Sequence, residues 1–290
     1  MIKDSLQNSM HQLIQLALKE DIGSGDVTSR ALFGNRSIPA KGFFLAKSEL
    51  VLCGIDILQK VFKKVDPKVQ IKILKKEGSL VREGQKIAII QGSLSSLLKG
   101  ERVALNFLQH LSGISTQTHR FKEAIRGTKA KILDTRKTLP GWRLLQKHAV
   151  KVGGGVNHRM GLYDAFLIKD NHLTHCSSVA DAVEKVKKRN RKKLKVEVEV
   201  TNLTQLEEAI RAQADWILLD NMPLEDLRLS VIKRNHLAIH SHRPMLEASG
   251  GVNFNNIRAV AQTGVDYISV GALTHSVMAA DISLEIESEE

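Results

Sequence analysis

The sequence is poor in cysteine, proline and aromatic residues. Two cysteines, Cys53 and Cys176, stand far apart and match no metal-ligand spacing, which excludes a disulfide scaffold and a zinc finger. Idle thiols in a reducing, cytoplasmic compartment are expected. Aromatic residues make up only 4% of the chain, so the core must be mostly aliphatic, and none lies close to the basic block at 187–193 to stack bases. No apolar run approaches the roughly 20 residues of a membrane span. The first residues, MIKDSLQNSMHQLIQLALKE, space their apolar positions as an amphipathic helix and lack the apolar stretch of a secretory signal. No G-x-G-x-x-G follows a strand candidate, and no G-x-x-x-x-G-K-[ST] occurs.

Basic residues are abundant: 43 lysines and arginines face 31 acids, a net charge of +12 over 290 residues. Such an excess draws anions, and a nucleic-acid-binding protein is the non-enzymatic alternative. The block KKRNRKK at 187–193 reads as a solvated surface. A small polyanion is the other partner that the charge fits.

Two textures divide the chain. Up to Gly113 it reads as a helix, then strands at Gly42–Ala46, Val69–Leu74 and Lys86–Gln91, then a helix through Val103, Phe107, Leu108 and Leu111 that Gly113 should break or kink. EGSLVREGQKIAIIQG has the form of a hairpin, with Gly78 and Gly84 as turn residues. Beyond it, apolar runs at Lys131–Leu133, Ala165–Ile168, Val196–Val200, Trp216–Leu219, Met245–Ala248 and Tyr267–Val270 alternate with helical segments. Alternation of this kind implies parallel strands with helical crossovers. Groups of chemical interest close many different runs, as on the rim of a (β/α) barrel, whereas an open sheet gathers them at one switch point.

Arg136, Lys137, His158, Arg159 and Lys169 cluster at or near two strand ends, with Asp164 the one other acid between Asp134 and Lys169. That concentration fits a ligand with several negative charges, since guanidinium forks and ammonium groups suit carboxylate and phosphate. Glu199 and Asp220 end consecutive strands and should lie side by side. They could hold Mg²⁺, share a proton as acid and base, or serve as caps and ion pairs, with Lys169 a partner for either. Ser249-Gly250-Gly251 precedes a helix expected to start near Asn253, and Gly271 follows the last strand. Both are places where a barrel seats a phosphate.

DTRKTLPGWRLLQKHAVKVGGGVNHRMGLYDAFLIKDNH strongly resembles the signature of the quinolinate phosphoribosyltransferases. EDIGSGDVTS, GERVALNFLQHLSGIST, VEVEV, ILLDN, LEASGGV and ISVGALTH resemble further family segments in the family's order, so the likeness runs over nearly the whole chain. Leu139, Trp142 and His148 depart from the expected pattern. The resemblance implies α/β and α+β architecture: an N-terminal α/β sandwich over 1–113, an open (β/α) barrel over 114–272, and a tail over 273–290 that returns to the first domain. It implies the conversion of quinolinate and 5-phosphoribosyl-1-pyrophosphate to nicotinate mononucleotide, pyrophosphate and CO₂, a step of NAD synthesis, with Mg²⁺. A nicotinate-using relative is the enzymatic alternative. By motif position the ligand-binding residues are Arg102, Thr135, Arg136, Lys137, His158, Arg159, Lys169, Glu199, Asp220, Ser249, Gly250, Gly251 and Gly271. Lys137, Lys169, Glu199 and Asp220 are the catalytic candidates, and Glu199 and Asp220 the metal ligands. The family's assembly implies a homodimer or hexamer, with Arg102 reaching a neighbouring site.

Overall fold

The computed structural model describes residues 2–238 and 242–287. The chain forms two compact units, one of residues 1–119, 138–154 and 274–290, the other of residues 120–137 and 155–273. Among the described residues no helix is long and apolar enough to cross a membrane.

In the first unit the amphipathic start is helix α1 (Ile2–Ile22), followed by α2 (Val27–Phe33), whose N-terminus Asp26 caps by accepting the Ser29 N–H at 2.9 Å. Strands β1 (Pro39–Ala46), β3 (Gln70–Ile73) and β5 (Lys86–Ser93) form an antiparallel sheet with β12 (Ile282–Ile286), in the order β12-β1-β5-β3. Helix α3 (Ile55–Val65) follows β2 (Leu50–Val51) and buries Ile57, Leu58, Val61 and Phe62, the last edge-on to Phe44 of β1 at 6.0 Å. The segment expected to be a hairpin is not one. Strand β4 (Leu80–Val81) pairs with β2, and β5 pairs with β1 and β3.

Helix α4 (Leu94–Ala124) runs through Gly113 without interruption, against the expected break. Glycine is there for room: a Cβ at Gly113 would lie 2.1 Å from the carbonyl oxygen of Met278, so the C-terminal segment packs directly on the helix backbone. Val103, Phe107, Leu108 and Leu111 are all buried, as their spacing requires. Helix α5 (Arg143–Val152) completes the unit. Trp142, one of the unexpected signature residues, stacks on Phe107 at 4.8 Å and meets His110 edge-on, so it belongs to this core.

The second unit holds six parallel strands: β6 (Lys131–Leu133), β7 (Phe166–Ile168), β8 (Val196–Val200), β9 (Trp216–Asp220), β10 (Met245–Ser249) and β11 (Tyr267–Ser269). Their order is β6-β11-β10-β9-β8-β7, so the sheet curls without β6 and β7 pairing, the open barrel that the resemblance implied. Helices α7 (Val179–Arg189), α8 (Leu203–Arg211) and α9 (Leu224–Leu237) cross between strands, while α6 (Asp170–Leu173), α10 (Ile257–Gln262) and α11 (Ala272–His275) are short. Both faces of the strands are covered. Val196, Val198, Val200, Ile217, Leu219, Leu246, Ala248 and Ile268 form the buried apolar face. The alternate positions meet inside the curve: Trp216 stacks on Tyr267 at 4.3 Å although β10 lies between their strands.

Candidate active site

Asp134, fully buried at the end of β6, organises the signature. Its carboxylate accepts the His158 backbone N–H at 2.8 Å and the Asn157 side-chain amide. Val156 forms a parallel bridge to Leu133, donating to Ile132 O at 2.8 Å, so the returning chain lies along β6. Thr135 Oγ1 accepts the Lys137 N–H at 3.0 Å and tightens the turn that leaves Arg136 and Lys137 exposed. Asp164 accepts the backbone N–H groups of Met160 and Gly161 at 2.7 and 2.9 Å and folds the turn after Arg159.

Arg159 is the strained member of the cluster. Its guanidinium Nη1 donates to Ala165 O at 3.2 Å, and its Nε is buried with no hydrogen-bond partner. Burial, and then the nearby Arg136 charge, lower its pKa from the usual arginine value. Two guanidinium groups thus press on each other, with one donor unsatisfied.

Lys169 begins the turn after β7 and pairs with Glu199 at 3.2 Å. Glu199 is 9% exposed. Burial raises its carboxyl pKa, Lys169 opposes the rise, and Asp220 on the neighbouring strand adds to it. Glu199 and Asp220 are therefore neighbours, as their strand ends required. Among the described residues, three-donor clusters occur at His158–Glu197–Glu247 and Cys53–Glu77–His148, and the pair Glu199–Asp220 belongs to neither.

Ser249 is in register with Asp220, and the Asn221 N–H donates to Ser249 O at 2.9 Å. The next two residues are Gly250 and Gly251, at φ +92° and +59°. The side chains of Asn253 and Asn256 hold Gly251 O at 3.1 and 2.9 Å. The helix expected near Asn253 starts only at Ile257 and is six residues long. The turn is consequently built from asparagine hydrogen bonds and does not rest on a helix N-terminus. Gly271 stands between β11 and α11. Arg102 lies exposed on α4 in the first unit.

The ring of His158, expected among the cations, faces two buried acids: its Nε2 lies 3.0 Å from Glu197 and 3.6 Å from Glu247, and its Nδ1 accepts the Arg159 backbone N–H at 2.8 Å. Glu197 and Glu247 are additional to the expected residues, and for Glu197 the signal was present in VEVEV: alternate acids, Glu197 and Glu199, inside a strand that is otherwise apolar.

Sequence profiles of the quinolinate phosphoribosyl transferase N-terminal and C-terminal domains match residues 26–112 and 114–285. The chain is 42% identical to a probable carboxylating nicotinate-nucleotide pyrophosphorylase of Bacillus subtilis, over 96% of this chain and 93% of the relative. It is 41% identical to the carboxylating nicotinate-nucleotide pyrophosphorylase of Mycobacterium leprae, over 99% of this chain and all of the relative. A solved nicotinate-nucleotide pyrophosphorylase of Francisella tularensis superposes with a TM-score of 0.91 at 41% identity, covering 97% of this chain and 96% of that one.

Proposed function

The chain belongs to the quinolinate phosphoribosyl transferase family, and from that premise we propose how its residues divide the reaction. It is a pentosyltransferase of pyridine nucleotide synthesis, converting quinolinate and phosphoribosyl pyrophosphate to nicotinate mononucleotide, pyrophosphate and CO₂.

Arg159 carries the reading. A half-buried guanidinium with a donor to spare at Nε, beside the charge of Arg136, is suited to receive an anion. Quinolinate brings two carboxylates, and a bidentate guanidinium suits each. In our assignment Arg136 and Arg159 orient the quinolinate carboxylates, with the imidazole edge of His158 packed beside them. Lys137 and Lys169 offset the charge of the departing pyrophosphate. The Ser249–Gly251 turn and Gly271 seat the 5-phosphate, and Thr135 holds the turn that presents Arg136 and Lys137.

Glu199 and Asp220 fit a hard cation: both offer oxygens, they are neighbours, and Asp220 disfavours the charge on Glu199. Mg²⁺ held there would neutralise pyrophosphate as it leaves. The two carboxylates would also hold ribose hydroxyls and stabilise the oxocarbenium-like centre. After transfer, loss of CO₂ leaves a carbanion that the ring nitrogen's new positive charge and the surrounding cations offset.

We further assign the exposed Arg102 to a neighbouring chain's site in a homodimer or hexamer, and the protein to the cytoplasm, where its two free thiols, Cys53 and Cys176, stay reduced. The purified protein, given quinolinate, phosphoribosyl pyrophosphate and Mg²⁺, should form nicotinate mononucleotide, and nicotinate should not replace quinolinate. Well-folded protein without turnover would refute the assignment.

A further inference from the structure

Beneath the anion-binding groups lies a polar chain that the reaction as assigned does not use. Glu197 and Glu247 point into the curve of the barrel from β8 and β10 and are 4% and 1% exposed. Trp216 Nε1–H donates to Glu247 Oε2 at 3.0 Å. The His158 ring faces both acids through Nε2, closer to Glu197 at 3.0 Å than to Glu247 at 3.6 Å. On its other side Nδ1 accepts the Arg159 N–H. Glu247 Oε1 is buried with no hydrogen-bond partner.

The directions in this chain are fixed. Nδ1 is occupied as an acceptor, so the ring proton sits on Nε2 and is donated inward. A bare carboxylate at both acids would put two negative charges in a sealed interior against one neutral ring, which is untenable. Burial and the neighbouring Glu197 push the Glu247 carboxyl up to about 8, with the His158 ring opposing the rise.

We propose that Glu197, backed by Glu247 and Trp216, is a positioning residue that fixes His158 as the neutral Nε2–H tautomer and thereby pins the backbone of Arg159. The device works like the outer partners of a metal-bound histidine, which decide which ring nitrogen faces the working side. Here the beneficiary is a guanidinium. With the Arg159 N–H held by Nδ1 and its Nη1 held by Ala165 O, the orphaned Nε is presented in one orientation. The link from Arg159 to quinolinate rests on the assignment above, whereas the tautomer is a property of the resting protein.

The test is ¹⁵N–¹H correlation of the ring nitrogens in histidine-labelled full-length protein at neutral pH, with His158→Gln used for assignment. The result expected is an Nε2–H tautomer for His158, unchanged by EDTA and unchanged in Glu247→Gln. Glu197→Leu should give a mixed tautomer and raise the KM for quinolinate about tenfold or more, as misplacement of an orienting group does. The KM for phosphoribosyl pyrophosphate should change less than about twofold over the same variants. Glu197→Gln, whose amide oxygen can still accept, should restore the wild-type tautomer and KM. An Nδ1–H tautomer or an imidazolium in the wild type would overturn the proposal, as would a metal-shifted Nε2 signal that EDTA removes. So would a folded Glu197→Leu variant with wild-type tautomer and KM. If Glu197→Leu does not fold, the wild-type spectrum and the two glutamine variants decide. These spectra need no turnover, so an inactive protein with the expected tautomer would refute the enzymatic assignment alone.

Discussion

Replacing Gly250 by alanine should damage both the stability and the phosphate affinity of the second unit, and replacing its neighbour should not do so equally. A Cβ at Gly250 would lie 2.1 Å from Asn221 Oδ1 and 2.4 Å from its Cγ. Ordinary contact would require the side chain of Asn221, exposed beside the turn, to retreat by roughly 1 Å and give up its place. Asn221 has little freedom. Its φ is +52°, its N–H is held by Ser249 O at 2.9 Å, and its side chain donates to Asp220 at 2.9 Å. Left-handed backbone costs alanine about 1–2 kcal/mol, and overpacking adds about 1–3 kcal/mol. A loss of roughly 2–5 kcal/mol corresponds to a fall in Tm of roughly 5–15 °C for a unit of this size. Gly251, at φ +59°, has open space around its missing Cβ, and asparagine tolerates that conformation. Gly251→Asn should therefore lose less than about 1 kcal/mol of stability. The assay is a thermal melt of each variant with the KM for phosphoribosyl pyrophosphate. Equal melting temperatures and equal KM values for Gly250→Ala and Gly251→Asn would refute the steric argument and the role given to this turn.

Arg136→Ala should raise the KM for quinolinate at least tenfold if Arg136 orients a quinolinate carboxylate. A near-normal KM in the folded variant would contradict this. Glu199 carries a raised carboxyl pKa from burial, so its contribution to stability is fully present below the unfolded value and is lost as pH rises through the folded one. The role proposed for Glu199 needs the ionised form, so activity should fall on the acid side at a higher pH than an ordinary glutamate gives. Lys169→Met, by removing the charge that opposes the rise, should move that acid limb further up in a kcat/KM profile; an unmoved limb would exclude Glu199 as the titrating group. Mixing the inactive Arg102→Ala and Glu199→Ala chains should restore activity in hybrid assemblies if Arg102 serves a neighbouring site, and persistent inactivity of confirmed hybrids would count against it.

The strand positions of the second unit were legible because each is a short apolar run closed by a polar residue, and Glu199 and Asp220 fell on neighbouring strands for that reason. The polar interior was not. Glu197 and Glu247 sit inside runs that read as apolar on average, and only strand alternation separates their face from that of Val196 and Leu246. Gly113 read as a breaker, since propensity cannot register the carbonyl of Met278 approaching from 165 residues further along. The hairpin failed for a related reason: β4 found its partner in β2, outside the local window.

The bridge between Val156 and Leu133 has one more implication. Residues 138–154 leave the second unit and belong to the first, and the chain departs and returns on adjoining backbone, clasped by Asp134 and Val156. A clasp makes the path between its ends free to vary. Lengthening or trimming that excursion would alter the first unit while Arg136 and Arg159 keep their spacing. A single residue inserted between Val156 and His158 would slip the clasp and dismantle the proposed anion site at once. The signature is thus two short, intolerant pieces joined by a stretch whose length the site itself does not measure.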